Sequence, residues 1–277
     1  MSSTVPADPA GARRAAVLGS PISHSKSPLL HLAAYRALGL TGWTYDRIEC
    51  TAEQLPALVG GFGPEWVGVS VTMPGKFAAL AFADERTARA ELVGSANTLV
   101  RTERGWRADN TDVDGVIGAL ASASVPVSGS AVVVGAGGTA PAALAGLVHA
   151  GAESVTIAAR NAERAAELID VAQRLGVVAR HCPLEHRALA EAVADASVVV
   201  STVPADVAAT HVDALRGAAA LLDVLYDPWP TPLAAAVAES GGTVVSGLQM
   251  LLHQAFAQVE QFTGRPAPRA EMAAALQ

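Results

Sequence analysis

The stretch that most narrows what this chain can fold into is Ala131–Ala140, AVVVGAGGTA, where four apolar residues run directly into a glycine-rich turn and then into small residues. A short β-branched run reads as a buried strand, the glycines as a tight turn, and Ala140–Ala150 as a small-residue helix. The rhythm repeats downstream. Strands are expected at Ala131–Val134, Ser154–Ala158, Val177–Arg180, Ser197–Ser201, Ala220–Val224 and Thr243–Ser246, with helices at Ala162–Leu175, His186–Ala194 and Pro232–Ser240. Short valine-rich strands separated by amphipathic helices are the pattern of a parallel sheet covered on both faces. Aromatic residues are only 4% of the 277, so alanine, valine and leucine must do most of the packing. Gly115–Ala152 carries no Asp, Glu, Lys or Arg, but Pro126, Gly129, Gly135, Gly137, Gly138 and Pro141 interrupt it. No run within it reaches the roughly 18 apolar residues that a membrane span needs.

The turn itself reads G-x-G-x-x-A: Gly135, Ala136, Gly137, Gly138, Thr139, Ala140. Gly135 permits the tight turn, Gly137 lets a pyrophosphate approach the backbone, and Ala140 allows close helix–strand packing. The pyrophosphate would then sit on the positive end of the helix. A plain glycine turn would look the same in isolation; here the strand, the helix and the following strand–helix steps accompany it. Where an NAD-selective site offers a carboxylate after the second strand, this chain reads Ala158-Ala-Arg160-Asn-Ala-Glu-Arg164. Arg160 and Arg164 suit a 2′-phosphate, which points to NADP(H). The alternative is a solvated arginine pair, although positive charge at a helix start is mildly unfavourable.

The first half mixes signals. Ala15–Leu18, Tyr45–Glu49 and Val67–Val71 read as strands, Pro28–Leu38 and Phe77–Ala83 as helices, and Thr98–Arg101 with Gly105–Ala108 as a hairpin. A helix follows from Asp112 to Ala121, then a boundary or crossover at Ser124–Ser130. A last helix, Leu248–Phe262, carries an apolar stripe of Leu248, Leu251, Leu252, Ala255, Phe256, Val259 and Phe262. A balance of 19 basic to 26 acidic residues repels phosphate backbones, so nucleic acid is not an expected ligand. Two cysteines make no disulfide framework and point to a reducing, cytoplasmic setting. Ala15–Leu18 is too short for the core of an export signal, and residues 1–12 read as a frayed tail. The seven histidines show no metal-binding spacing.

Four segments of the first half and its flank carry polar groups at element ends. Ser25 and Ser27, just before a helix, can cradle a carboxylate, or one of them merely caps the helix. Thr72 and Lys76 follow a strand in Val69-Ser-Val-Thr-Met-Pro-Gly-Lys76; the lysine is a proton donor beside a bound dinucleotide or an ordinary surface lysine. Asn97 and Asp109 lie in Gly94-Ser-Ala-Asn-Thr98 and Asp109-Asn-Thr-Asp112, as site residues or as structural and capping groups.

Taken together, and in this order, the motifs resemble the shikimate dehydrogenase family over nearly the whole chain, Ala15 to Phe262. The resemblance implies two α/β domains with a cleft between them: a substrate-binding, catalytic domain of residues 1–112 plus 247–277, and a Rossmann-type doubly wound NADP domain of residues 113–246. It implies that Ser25 and Ser27 hold the carboxylate of shikimate and that Thr72 and Asn97 bind ring hydroxyls. Lys76 falls on the family's catalytic lysine, and the resemblance assigns Asp109 to work with it. Tyr226, in Tyr226-Asp-Pro-Trp-Pro-Thr-Pro232-Leu, and Gln254, in Gly247-Leu-Gln-Met-Leu-Leu-His-Gln254, join the substrate side. Thr202, Val203, Gly247 and Met250 join the cofactor residues. The sequence departs from the pattern at Ser70, where many members carry asparagine, and at Gly75, where a bulky residue often precedes the lysine. Glycine there is expected to loosen the approach to Lys76. Further departures are Ala159-Arg160-Asn161 in place of an N-R-T start, and Thr202–Ala205 in place of a longer loop.

The implied activity is reversible, NADPH-dependent reduction of 3-dehydroshikimate to shikimate, in the route to aromatic amino acids. Two other readings remain: a quinate/shikimate enzyme of broader substrate or cofactor range, and a non-catalytic NADP-binding relative. A monomer and a homodimer fit equally well, with no membrane partner.

Overall fold

A computed structural model describes residues 11–277; the tail expected at residues 1–12 therefore lies almost wholly outside the described residues. Contacts divide the chain into two units, one running to Thr111 and resuming at Ala255, the other Asp112–Gln254.

The first unit is a six-stranded mixed sheet with helices. Its elements are β1 (Arg13–Gly19), α1 (Ser27–Ala37), β2 (Trp43–Glu49), α2 (Leu55–Gly60), β3 (Trp66–Val71), α3 (Lys76–Phe82), β4 (Glu85–Arg86), α4 (Ala88–Val93), β5 (Thr98–Thr102) and β6 (Gly105–Asp109). The strand order is β2-β1-β3-β5-β6-β4. β1 pairs in parallel with β2 and β3, whereas β5 runs antiparallel to β3 and β6 antiparallel to β5. Its core gathers Leu18, Leu55, Val69, Leu99 and Trp106. Arg13 and Arg14 open β1, and the Arg14 guanidinium lies 4.7 Å over the Trp66 ring.

The second unit alternates as expected: α5 (Asp112–Ser122), β7 (Ser130–Val134), α6 (Ala140–Ala150), β8 (Ser154–Ala158), α7 (Ala162–Arg174), β9 (Val178–Cys182), α8 (His186–Ala194), β10 (Ala196–Ser201), α9 (Ala205–Ala209), α10 (Val212–Leu215), β11 (Ala220–Asp223), α11 (Pro232–Glu239) and β12 (Thr243–Ser246). All pairings are parallel, in the order β12-β11-β10-β7-β8-β9. That is the doubly wound order whose reversal lies at the first strand. Val132–Val134 are fully buried, each worth about 1.5–3 kcal/mol against exposure. No described helix is long and apolar enough to cross a membrane.

The chain passes from the second unit back to the first within α12 (Gly247–Thr263). This helix is not the last: α13 (Arg269–Ala274) follows, short and alanine-rich, behind Pro268. It escaped sequence reading with α2, α4, α9 and α10 because four to six residues cannot display an apolar stripe. For α4 a local signal existed: Thr87 caps its start by accepting from the Ala90 amide, and Gly94 ends it at φ +73°.

Candidate functional site

Sheet topology alone collects the candidate residues of the first unit. β1 ends at Gly19 and β3 at Val71, side by side and parallel. β5 runs the other way, so its start at Thr98 lies opposite Ser70, and β6 returns to finish at Asp109 opposite Thr98. Hence the segments holding Ser25 and Ser27, Thr72 and Lys76, Asn97, and Asp109 all leave the same edge of the sheet.

Backbone bonds then tie these segments together. Thr72 N–H donates to Leu18 O at 2.8 Å, Val71 N–H to Asn97 O at 2.7 Å, and Ala96 N–H to Lys76 O at 3.0 Å. Lys76 is the first residue of α3 and is buried, so the surface-lysine alternative does not hold. The glycine before it leaves no hole: a Cβ on Gly75 would come within 2.9 Å of Val71 Cγ1 and 3.2 Å of Leu55 Cδ1. The expected loosening is corrected by this packing. Likewise Gly19 lets β1 pass Thr72, whose Cγ2 would be 2.3 Å from an added Cβ.

The serine loop is more than a helix cap. Lys26 occupies the cap position of α1 with no side-chain bond. Ser25 Oγ accepts from the Ser27 amide at 3.3 Å, and the buried Ser27 hydroxyl neighbours Tyr45, where it opposes the rise that burial gives the phenol. Asn97 is also buried, its Oδ1 accepting from Thr98 Oγ1 and the Thr111 amide, each at 2.8 Å, while Nδ2 donates to Thr111 Oγ1 at 3.0 Å.

Asp109 ends β6 among several donors. Its Oδ1 accepts from Arg89 Nε at 2.6 Å, Thr87 Oγ1 at 2.7 Å and the Asn110 amide at 2.8 Å. Its Oδ2 accepts from Arg89 at 2.5 Å and from Gln261 Nε2 at 2.7 Å. Burial pushes this carboxyl upward, but the bonds from Arg89 and Thr87, the Arg89 charge and the Asn110 amide outweigh it and hold Asp109 below the ordinary carboxylate range. Five donors thus meet its two oxygens, Arg89 being the charged one. Three residues on, Asp112 opens α5 and is also buried.

Behind the edge lies a buried network that sequence reading missed. His31, fully buried, stacks on Tyr45 at 4.0 Å and meets Gln258 at 3.3 Å; burial takes its pKa down to about 3 despite that bond. Tyr45 donates to Ser70 Oγ at 2.6 Å, and Ser70 donates to Gln258 Oε1 at 2.7 Å. The signal was three glutamines, Gln254, Gln258 and Gln261, at helical spacing along the stripe of α12.

In the second unit every candidate follows the carboxyl end of a parallel strand, the usual place for ligands in such sheets. Gly135 adopts φ +108°, and an added Cβ would strike Thr202 Oγ1 at 2.6 Å and Val203 Cγ1 at 2.8 Å. Thr202 donates to Val134 O through its side chain at 2.9 Å. Gly137 has nothing within 4 Å of an added Cβ, so its backbone is open to an approaching phosphate. Gly138 and Thr139 are half-buried and lead into Ala140, which is fully buried. Arg160 and Arg164 are both exposed after β8, with Asn161 capping α7 between them. Residues of this kind fit a dinucleotide bearing a 2′-phosphate. Gly247 is required by packing, since a Cβ there would lie 2.1 Å from Val224 O. Met250 is buried, and Gln254 turns Nε2 onto Leu251 O at 2.8 Å. Tyr226 is half-buried in the loop that Asp223 holds through Thr231 at 2.7 Å. Among the described residues no cluster of His, Cys, Asp and Glu is arranged to hold a metal.

Comparison with known proteins agrees along the length. Residues 17–99 match the shikimate dehydrogenase substrate binding domain, residues 119–221 the shikimate/quinate 5-dehydrogenase family, and residues 247–277 the shikimate 5′-dehydrogenase C-terminal domain. A shikimate dehydrogenase (NADP(+)) of Ruegeria sp. is 37% identical over 265 residues, 91% of this chain and 92% of that protein. The crystal structure of Mycobacterium tuberculosis shikimate dehydrogenase is 66% identical, with a TM-score of 0.91 over 95% of this chain and 98% of that one. The Thermus thermophilus shikimate 5-dehydrogenase, solved with NADP(H) and shikimate, is 30% identical with a TM-score of 0.81, covering 95% and 98%.

Proposed function

The chain belongs to the shikimate dehydrogenase family, and from that premise we propose how its residues divide the reaction. It is an oxidoreductase that interconverts 3-dehydroshikimate and shikimate with NADP(H), in the route to aromatic amino acids. Support for the assignment of residues comes above all from four separated segments leaving one edge of the first sheet. Ser25 and Ser27 hold the carboxylate, and Thr72 and Asn97 hold ring hydroxyls, with Tyr226 and Gln254 added from the C-terminal half. Gly135–Ala140, Thr202, Val203, Gly247 and Met250 hold the dinucleotide, with Arg160 and Arg164 on its 2′-phosphate. Residues 1–112 with 247–277 make the substrate domain and residues 113–246 the NADP domain.

Bound NADPH supplies the hydride that reduces the ring ketone. The Lys76 ammonium holds the ketone oxygen, stabilises the charge that develops there and delivers the proton that completes the alcohol. The motif assigned Asp109 to work with Lys76. Its five donors favour a second assignment, in which Asp112 is the carboxylate of the reaction and Asp109 supports the segment that presents it. The enzyme is a cytoplasmic monomer or homodimer, a placement supported by two buried free thiols.

Initial rates with shikimate and quinate, each with NADP+ and NAD+, test the reading. The shikimate–NADP+ pair should far exceed the other three. Comparable rates with quinate or NAD+ would move the protein to the broader quinate/shikimate group, and no rate in any pair would leave a non-catalytic relative.

A further inference from the structure

We propose that Gln258 is a positioning residue for the substrate, the joint that keeps the carboxylate-binding serine and the hydroxyl-binding asparagine in register. The proposal rests on the assignment of Ser27 and Asn97 given above. Gln258 is fully buried and uses both ends of its amide. Nε2 donates to Asn97 O at 3.2 Å and to Thr98 Oγ1 at 2.9 Å; Oε1 accepts from Ser70 at 2.7 Å. A backbone carbonyl can only accept, so the amide has one permitted orientation and Oε1 must face Ser70. The single proton of Ser70 is thereby committed to Gln258, and Tyr45 must donate to Ser70. Tyr45 in turn neighbours the Ser27 hydroxyl. At the other end Thr98 Oγ1, which receives Gln258, donates to Asn97 Oδ1, the oxygen that the Thr111 amide also holds. One glutamine thus sets the polarity of a chain from Tyr45, beside Ser27, to Thr98, which donates to Asn97; Ser70, the departure from the family's asparagine, is a link of that chain. Side-chain networks out of contact with water transmit such constraints because no solvent can replace a lost partner.

Gln258→Met keeps length and removes both hydrogen-bonding groups; Ser70→Ala removes only the Ser70 link. The readouts are kcat, the KM values for shikimate and NADP+, calorimetric binding of shikimate, and Tm. Each variant should raise KM and Kd for shikimate about tenfold, the loss of one to two buried hydrogen bonds, with KM for NADP+ within about twofold. An unchanged shikimate Kd with a lowered Tm would reduce Gln258 to a structural role and overturn the proposal, as would an equal rise in both KM values. Should Gln258→Met fail to fold, Ser70→Ala decides alone. A wild-type protein that neither turns over nor binds shikimate would overturn the functional reading itself. A wild type that binds, alongside variants that bind as tightly, overturns only the role of Gln258.

Discussion

In the second unit the candidate dinucleotide site is mostly backbone: a glycine at φ +108°, an open Gly137, and strand ends aligned by an all-parallel sheet. In the first unit the candidate substrate groups are side chains, Lys76, Asn97 and Ser27, all buried, with Asn97 held by Thr111 from 14 residues away. The difference teaches where tolerance lies. A backbone-made site depends on leaving space free, so it is damaged by added atoms. A site made of buried side chains depends on partners, so it is damaged by removed ones.

The largest effect should come from Lys76→Ala. Turnover should fall by roughly a hundredfold or more, as for loss of a general acid or charge stabiliser, while NADP+ binding measured by fluorescence stays intact. Unchanged turnover in folded protein would remove Lys76 from the chemistry. Asp112→Asn and Asp109→Asn separate next. The first should lower kcat by about a hundredfold with little change in Tm. The second should mainly destabilise the fold, by about 1–3 kcal/mol in urea unfolding, because Arg89 and Gln261 lose a buried acceptor. The reverse pattern would restore Asp109 as the reacting carboxylate.

On the dinucleotide side, Arg160→Ala and Arg164→Ala should each cost about tenfold in kcat/KM for NADP+ and almost nothing for NAD+. Equal losses with both cofactors would make the two arginines general phosphate contacts or simple surface charge.

The last effect vanishes at neutral pH and appears only in acid. His31 has a folded pKa of about 3 against an ordinary 6.5, so between these values the unfolded chain takes up a proton that the folded chain refuses. Stability therefore falls as pH drops below about 6.5, by up to about 1.4 kcal/mol per pH unit. His31→Phe should flatten that part of the urea-midpoint profile. Asp223 in the second unit has the opposite sign, since burial raises it against the bonds from Thr231 and Leu225. The folded state binds its proton first, and stability is gained as pH falls through the raised value. Asp223→Asn should therefore steepen the acid loss, and a profile unmoved by either substitution would show that other carboxylates dominate.

What could be read from sequence divides along the same line. Ala140–Ala150, Ser154–Ala158, His186–Ala194 and Thr243–Ser246 are expected and observed with identical limits, because apolar period and turn residues are local properties. The glycine turn was legible for the same reason, since Gly135 needs its φ wherever the rest of the chain goes. The short helices were not legible, and neither were the partners of the site. Arg89 lies 20 residues from Asp109 and Gln261 lies 152 away, and no local pattern joins them.

The sequence by itself determined which groups this protein offers to chemistry, from the lysine after β3 to the arginines after β8, because residue type and element end are both written locally. Only the tertiary structure decided what each group is committed to. It filled Asp109 with donors and turned Gln258 toward Ser70, because a buried polar atom takes whichever partner the fold brings within reach, and water is not there to offer another.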